Sequence, residues 1–145
     1  MKIGLGADHR GFKKKEMIKK YLDKKKIEYI DYGTDSENPV DYNDYALKVC
    51  KGINKGEVEC GILVCGTGIG MSIMANKVKG IMCAKVSNPM EAKLSKEHNN
   101  ANVISISGKL YNYVIKDIVD SYINASYLNL DKYNKRIEKI KKLEK

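Results

Sequence analysis

From Lys2 onward, short apolar runs alternate with stretches whose apolar residues recur at helical spacing, and this rhythm admits few folds. Lys2–Ala7, Glu28–Tyr32, Gly61–Cys65, Ile81–Val86 and Asn102–Ser107 read as strands, each closed by a glycine or a polar turn. Between them Ile18, Tyr21 and Leu22 set a helix running to about Lys25, and Tyr45, Ala46, Val49, Cys50 and Ile53 set a second, stopped by Gly56. A glycine-rich turn at 66–70 leads into a helix ending near Lys77. Asn88-Pro89 is a helix start, with Asn as cap and Pro at the first position. Val114, Ile115, Ile118, Val119, Tyr122 and Ile123 form one apolar helix stripe, and Tyr133, Ile137 and Ile140 mark a last helix from about Asp131. The segment 33–44 is a polar loop with Pro39 and several acids.

Strands that alternate with helices pair in parallel and are covered on both faces. The expected class is therefore α/β: a three-layer α/β/α sandwich around a five-stranded parallel, Rossmann-like sheet. A length of 145 residues suits one domain, 1–145, large enough for a core without staples. Folds of this class bind ligands past the carboxyl ends of their strands. That directs attention to Asp8-His9, Gly33-Thr34, Cys65–Gly70, Ser87-Asn88 and Gly108-Lys109. The only histidines, His9 and His98, are both expected at this ligand edge, His98 lying with Asn99 just before the fifth strand.

Cys65-Gly66-Thr67-Gly68-Ile69-Gly70 is the densest motif. Three glycines in five positions let backbone N–H groups approach an anion, and the helix that follows adds a favourable dipole. No Gly-Lys-Ser/Thr follows, so it is not a nucleoside-triphosphate loop, and its spacing is wrong for a dinucleotide site. A tight strand-to-helix turn with no ligand reads equally well from the glycines alone. Cys65, at the mouth of the turn, differs from Cys50, Cys60 and Cys83, which read as small core hydrophobes. Exposed amides and a helix N-terminus favour a thiolate, hence a nucleophile or general base. Zinc held by Asp8, His9, Cys65 and His98 lacks any supporting spacing, and Asp35, Glu37, Asp41 and Asp44 show no magnesium or calcium pattern. No metal and no cofactor are expected.

The formal charge of +9 raises a nucleic-acid or nucleotide-binding module as an alternative of a different class. Yet the charge is concentrated: residues 10–26 carry nine cations and two acids, residues 132–145 seven cations and two acids, and the remainder nets −3. These read as solvated helix faces, unaccompanied by a helix-turn-helix, zinc-finger or aromatic RNA-binding pattern. Lysine outnumbers arginine 25 to 2, leaving Arg10 and Arg136 as the only forked anion ligands. Lys132 and Arg136 stand i, i+4 on one helix face. No apolar run approaches the roughly 18 residues of a membrane helix, so no membrane partner is expected. No export signal is read after Met1, and no Cys-x-x-Cys pair occurs, so reduced thiols and a cytoplasmic location are expected.

Gly6-Ala7-Asp8-His9-Arg10-Gly11-Phe12, Tyr32-Gly33-Thr34, Asp41-Tyr42, Gly61 through Ile73, Ala75-Asn76-Lys77 and Lys96 through Val103 together resemble the ribose-5-phosphate isomerase B family, which includes galactose-6-phosphate and allose-6-phosphate isomerases. The resemblance spans almost the whole chain. It implies a metal-free aldose–ketose isomerase interconverting ribose 5-phosphate and ribulose 5-phosphate, with a hexose 6-phosphate isomerase as the nearest alternative. It assigns Cys65 as the base, Thr67 and the amides of Gly66, Gly68, Ile69 and Gly70 as the enediolate cradle, and His98 to ring opening. Asp8 and Asn99 are implied on the sugar, and His9, Lys109, Lys132 and Arg136 on the phosphate. Lys109 and Lys132 stand where relatives often carry arginine, and Tyr133 where histidine is common. A homodimer or tetramer is implied, its site shared between subunits, with His98, Asn99 and the C-terminal helix supplied by the partner.

Overall fold

The computed structural model describes residues 1–144. Its order is β1 (Lys2–Ala7), α1 (Phe12–Lys24), β2 (Glu28–Asp31), α2 (Tyr42–Asn54), β3 (Cys60–Cys65), α3 (Ile69–Asn76), β4 (Cys83–Lys85), α4 (Pro89–Asn99), β5 (Val103–Ser107), α5 (Asn112–Asn124) and α6 (Asp131–Lys141). All strand pairings are parallel, in the order β2-β1-β3-β5-β4. The expected α/β sandwich is thus the observed one.

β3, buried at every position, is central, as its unbroken apolar run requires. One face of the sheet presents Ile3, Leu5, Ile62, Val64, Ile104 and Ile106 to α1, α4 and α5. The other presents Leu63, Cys65 and Val103 to α2 and α3. On that second face β1 and β3 carry glycines where α2 passes: a Cβ on Gly6 would lie 2.8 Å, and one on Gly61 2.5 Å, from Val49 side-chain atoms. The missing side chains let α2 settle directly onto the strands.

Element bounds differ from the sequence reading where apolar spacing carries no information. α2 opens at Tyr42 because its first turn is polar, with Asp44 suited to the helix dipole. β4 shrinks to Cys83–Lys85 at the sheet edge, its approach tied by Met82 N–H to Asn102 Oδ1 at 2.8 Å. The Asn88 cap is as expected, its Oδ1 accepting the Glu91 amide at 2.8 Å. After β1 the chain leaves by α1 on one face, and after β3 by α3 on the other. The crevice between these two carboxyl ends is the topological switch point where ligands bind in open α/β sheets.

Candidate active site

Asp8 closes β1. Its Oδ1 accepts the amides of Arg10 at 2.9 Å and Gly11 at 3.0 Å, which bends the chain into α1 and leaves Oδ2 outside these bonds. Next to it, His9 Nδ1 accepts the Val40 amide at 3.1 Å. An amide can only donate, so the neutral ring carries its proton on Nε2. The 33–41 segment is brought to this edge by a register running on past β2, with Ala7 N–H to Gly33 O and Thr34 N–H to Ala7 O, both 2.8 Å.

At the end of β3 the Gly68 amide donates to Cys65 Sγ at 3.2 Å, a bond that a thiolate accepts better than a thiol. Gly68 has φ +79, and a Cβ there would meet the backbone of Ile106 at 3.0 Å, so the position excludes other residues. β5 anchors the loop through Ser107 Oγ to Gly66 O at 2.9 Å and Ser105 Oγ to Gly68 O at 2.6 Å. With those carbonyls turned onto β5, the amides of Gly66, Thr67 and Gly70 have no acceptor among the described residues. Thr67 Oγ1 accepts the Ile69 amide at 3.1 Å. The loop is therefore a set of donors around one sulfur, an arrangement that stabilises developing negative charge.

Asp8, His9, Cys65, Gly66, Thr67 and Gly70 line one cavity of about 290 Å³. A larger groove of about 640 Å³ lies between the 76–82 segment and the end of α6, and it holds none of the expected site residues. Chemistry, not size, picks out the former. Burial pushes the thiols of Cys50 and Cys60 up to about 11 and that of Cys83 up to about 12; Cys65, buried as well, differs in lining this cavity. Among the described residues no three His, Cys, Asp or Glu side chains are placed to hold a metal ion.

His98 corrects the sequence reading. It is not on the Cys65 edge. α4 runs back from the carboxyl end of β4, so His98 and Asn99 sit at the amino end of β5, while Cys65 pairs with Ser107 at its carboxyl end. Four residues of strand, roughly 13 Å, separate those two ends. His98 stacks instead on Tyr133 of α6, centroids 4.6 Å apart at 18°, and Lys132 Nζ covers the same ring at 5.1 Å. Lys132 and Arg136 therefore share the neighbourhood of His98, and Lys109 that of Cys65, since Gly108 N–H bonds Cys65 O at 2.8 Å. The expected site residues form two groups on one chain. Arg10, noted from the sequence only as one of two arginines, also lines the Cys65 cavity, as do Val40, Asp41 and Tyr42, which were given no site role. Tyr42 packs its ring on Gly70, where a Cβ would lie 2.7 Å from it, and only the Asp41-Tyr42 pair in the resemblance signalled it.

Known proteins fit this geometry. The ribose/galactose isomerase family model matches residues 3–140. Ribose-5-phosphate isomerase B of Escherichia coli is 40% identical over 144 residues, 99% of this chain and 96% of the relative. The crystal structure of a ribose 5-phosphate isomerase from Thermotoga maritima superposes with TM-score 0.95 at 42% identity, covering 98% of both chains. That of ribose-5-phosphate isomerase B from Mycoplasma genitalium with bound ribulose-5-phosphate gives 0.91 at 33% identity, covering 97% of this chain and 94% of that one. An α/β chain with an amide-ringed cysteine at its switch point, alike to these over nearly its whole length, belongs to the ribose/galactose isomerase family.

Proposed function

We infer that this chain interconverts ribose 5-phosphate and ribulose 5-phosphate by proton transfer at Cys65. The observation that carries the reading is the Gly68 amide on Cys65 Sγ beside three unspent amides. In the aldose-to-ketose direction the thiolate removes the C2 proton, and the C–H electrons form the enediolate as the C1 carbonyl oxygen gains negative charge. The amides of Gly66, Thr67 and Gly70 meet that charge, and the proton returns to C1 as the C2 hydroxyl passes its proton to O1 and C2 becomes the carbonyl. Asp8 Oδ2 serves the sugar hydroxyls, and His9, through Nε2–H, serves the phosphate with Lys109.

Ring opening falls to His98 of a second copy, with Asn99, Lys132 and Arg136 from the same copy, in a homodimer or a tetramer. Two observations support this: His98 is a strand's length from Cys65 within a chain, and Ile69 and Ile73, beside the cradle, are 52% and 58% exposed. The reading takes 1–145 as one domain in the cytoplasm, whose reducing setting suits four free thiols. Part of the basic charge of α1 is spent within the fold, since Lys15 and Lys19 are engaged with Glu16 and Asp31.

Cys65→Ala is expected to lower kcat at least about a hundredfold while leaving sugar-phosphate binding near native. Near-native turnover in that variant would remove Cys65 as the base. Parallel assays on ribose, allose and galactose phosphates separate the pentose reading from a hexose one.

A further inference from the structure

We propose that Arg10 is a substrate-binding residue of this site, the forked ligand for the phosphate on the Cys65 side of the sheet. This rests on the cavity's being a sugar-phosphate site. Its backbone is fixed where the cavity opens, because its amide donates to Asp8 Oδ1 at 2.9 Å. From there the side chain runs across the cradle: Cδ lies 3.0 Å and Nη1 3.6 Å from where a Cβ on Gly66 would stand. Glycine at 66 is what admits it.

The neighbouring cations are committed elsewhere. Lys13 faces Glu37 at 3.6 Å, and Lys15 is buried between Glu16 at 2.9 Å and Asp31 at 2.8 Å. Arg10 pairs with no carboxylate among the described residues, although Asp8 and Asp41 line the same cavity. A phosphate dianion in a cavity lined by two acids needs a cation, and Arg10 is the one permanently cationic residue lining it. His9 and Lys109 each offer a point contact, whereas a guanidinium grips two phosphate oxygens at once. Gly108 brings β5's exit to it, since a Cβ there would lie 3.0 Å from Arg10 O, and Lys109 leaves that exit next.

Arg10→Gln and Arg10→Lys, assayed with ribose 5-phosphate and with inorganic phosphate as competitive inhibitor, test this. In Arg10→Gln, KM and the phosphate inhibition constant rise together about tenfold or more, with kcat within about threefold and an unchanged melting temperature. Arg10→Lys recovers part of the loss, since charge returns without the fork. Native KM and phosphate inhibition in Arg10→Gln would overturn the proposal. So would a fallen kcat at unchanged KM, which would put Arg10 on the reacting oxygens. If the native protein does not turn over ribose 5-phosphate, the functional reading falls. A chemical-shift titration of native and Arg10→Gln protein with inorganic phosphate then decides Arg10 by itself: weaker binding in the variant sustains it and equal binding ends it.

Discussion

Gly11 carries more constraint than its place in a polar turn suggests. A Cβ there would lie 2.1 Å from the carbonyl oxygen of Val64, and a backbone group cannot rotate away as a side chain can. Gly11→Ala is expected to lose about 2–3 kcal/mol in denaturant unfolding, and activity with it, because Val64 precedes Cys65. At this scale the sequence was most legible where residue type and turn chemistry coincide. The glycines after Cys65 announce a tight strand-to-helix turn, and Asn88-Pro89 announces a helix start. It was least legible where the deciding partner is distant. Lys15 reads as one more cation in a basic helix, yet it is fully buried because Asp31, sixteen residues on, folds against it. Arg10 was noted as a rare arginine, but only the turn made by Asp8 and the bare face of Gly66 direct it into the cavity.

The pairing of α1 with β2 depends on that buried lysine. Burial pushes the Asp31 carboxyl up, but hydrogen bonds from Lys15 and Lys19 outweigh it and hold the group below its ordinary range. Lys19 is raised in turn, chiefly by its bond to Asp31. A carboxylate with a lowered folded-state value stabilises the protein above its unfolded value, near 4. That stability drains away as pH falls through the folded value. Stability is thus expected to drop as acid reaches pH 4 and below. Lys15→Met should cost about 2–3 kcal/mol at neutral pH and flatten the acid limb, as measured by urea midpoints between pH 7 and 3. An unaltered acid limb would mean that the pair does not govern this dependence. Helix and strand existence was legible from apolar spacing, whereas the polar first turn of α2 and the short β4 were not. The misplaced edge of His98 has a topological cause. In a strand–helix–strand unit, residues just before a strand lie at its amino end, and proximity in sequence to the last strand says nothing of the ligand edge.

For the molecule as a whole, the layers followed from the strand–helix rhythm, whereas the proposed second copy was implied by the family resemblance alone. Ile69 and Ile73 have the composition of core residues, and only the folded chain leaves them in solvent. If two copies complete each site, inactive Cys65→Ala and His98→Ala chains should restore one another. Half of the randomly mixed dimers are heterodimers, each with one intact site of two. Refolding an equimolar mixture should therefore return about one quarter of native activity, read by steady-state assay. No recovery, with heterodimers demonstrated by native mass spectrometry, would restrict the chemistry to one chain.

The placing of one sulfur among four against the cavity also gives the protein a built-in reporter. A soft electrophile such as iodoacetamide, applied near pH 7.5, should add a single carbamidomethyl group per chain at residue 65. Cys50 and Cys60 are buried and Cys83 half-buried, burial raises all three above the ordinary thiol range, and Cys65 is the one that lines the cavity. The pace of that one labelling event then measures occupancy of the crevice without any turnover being required.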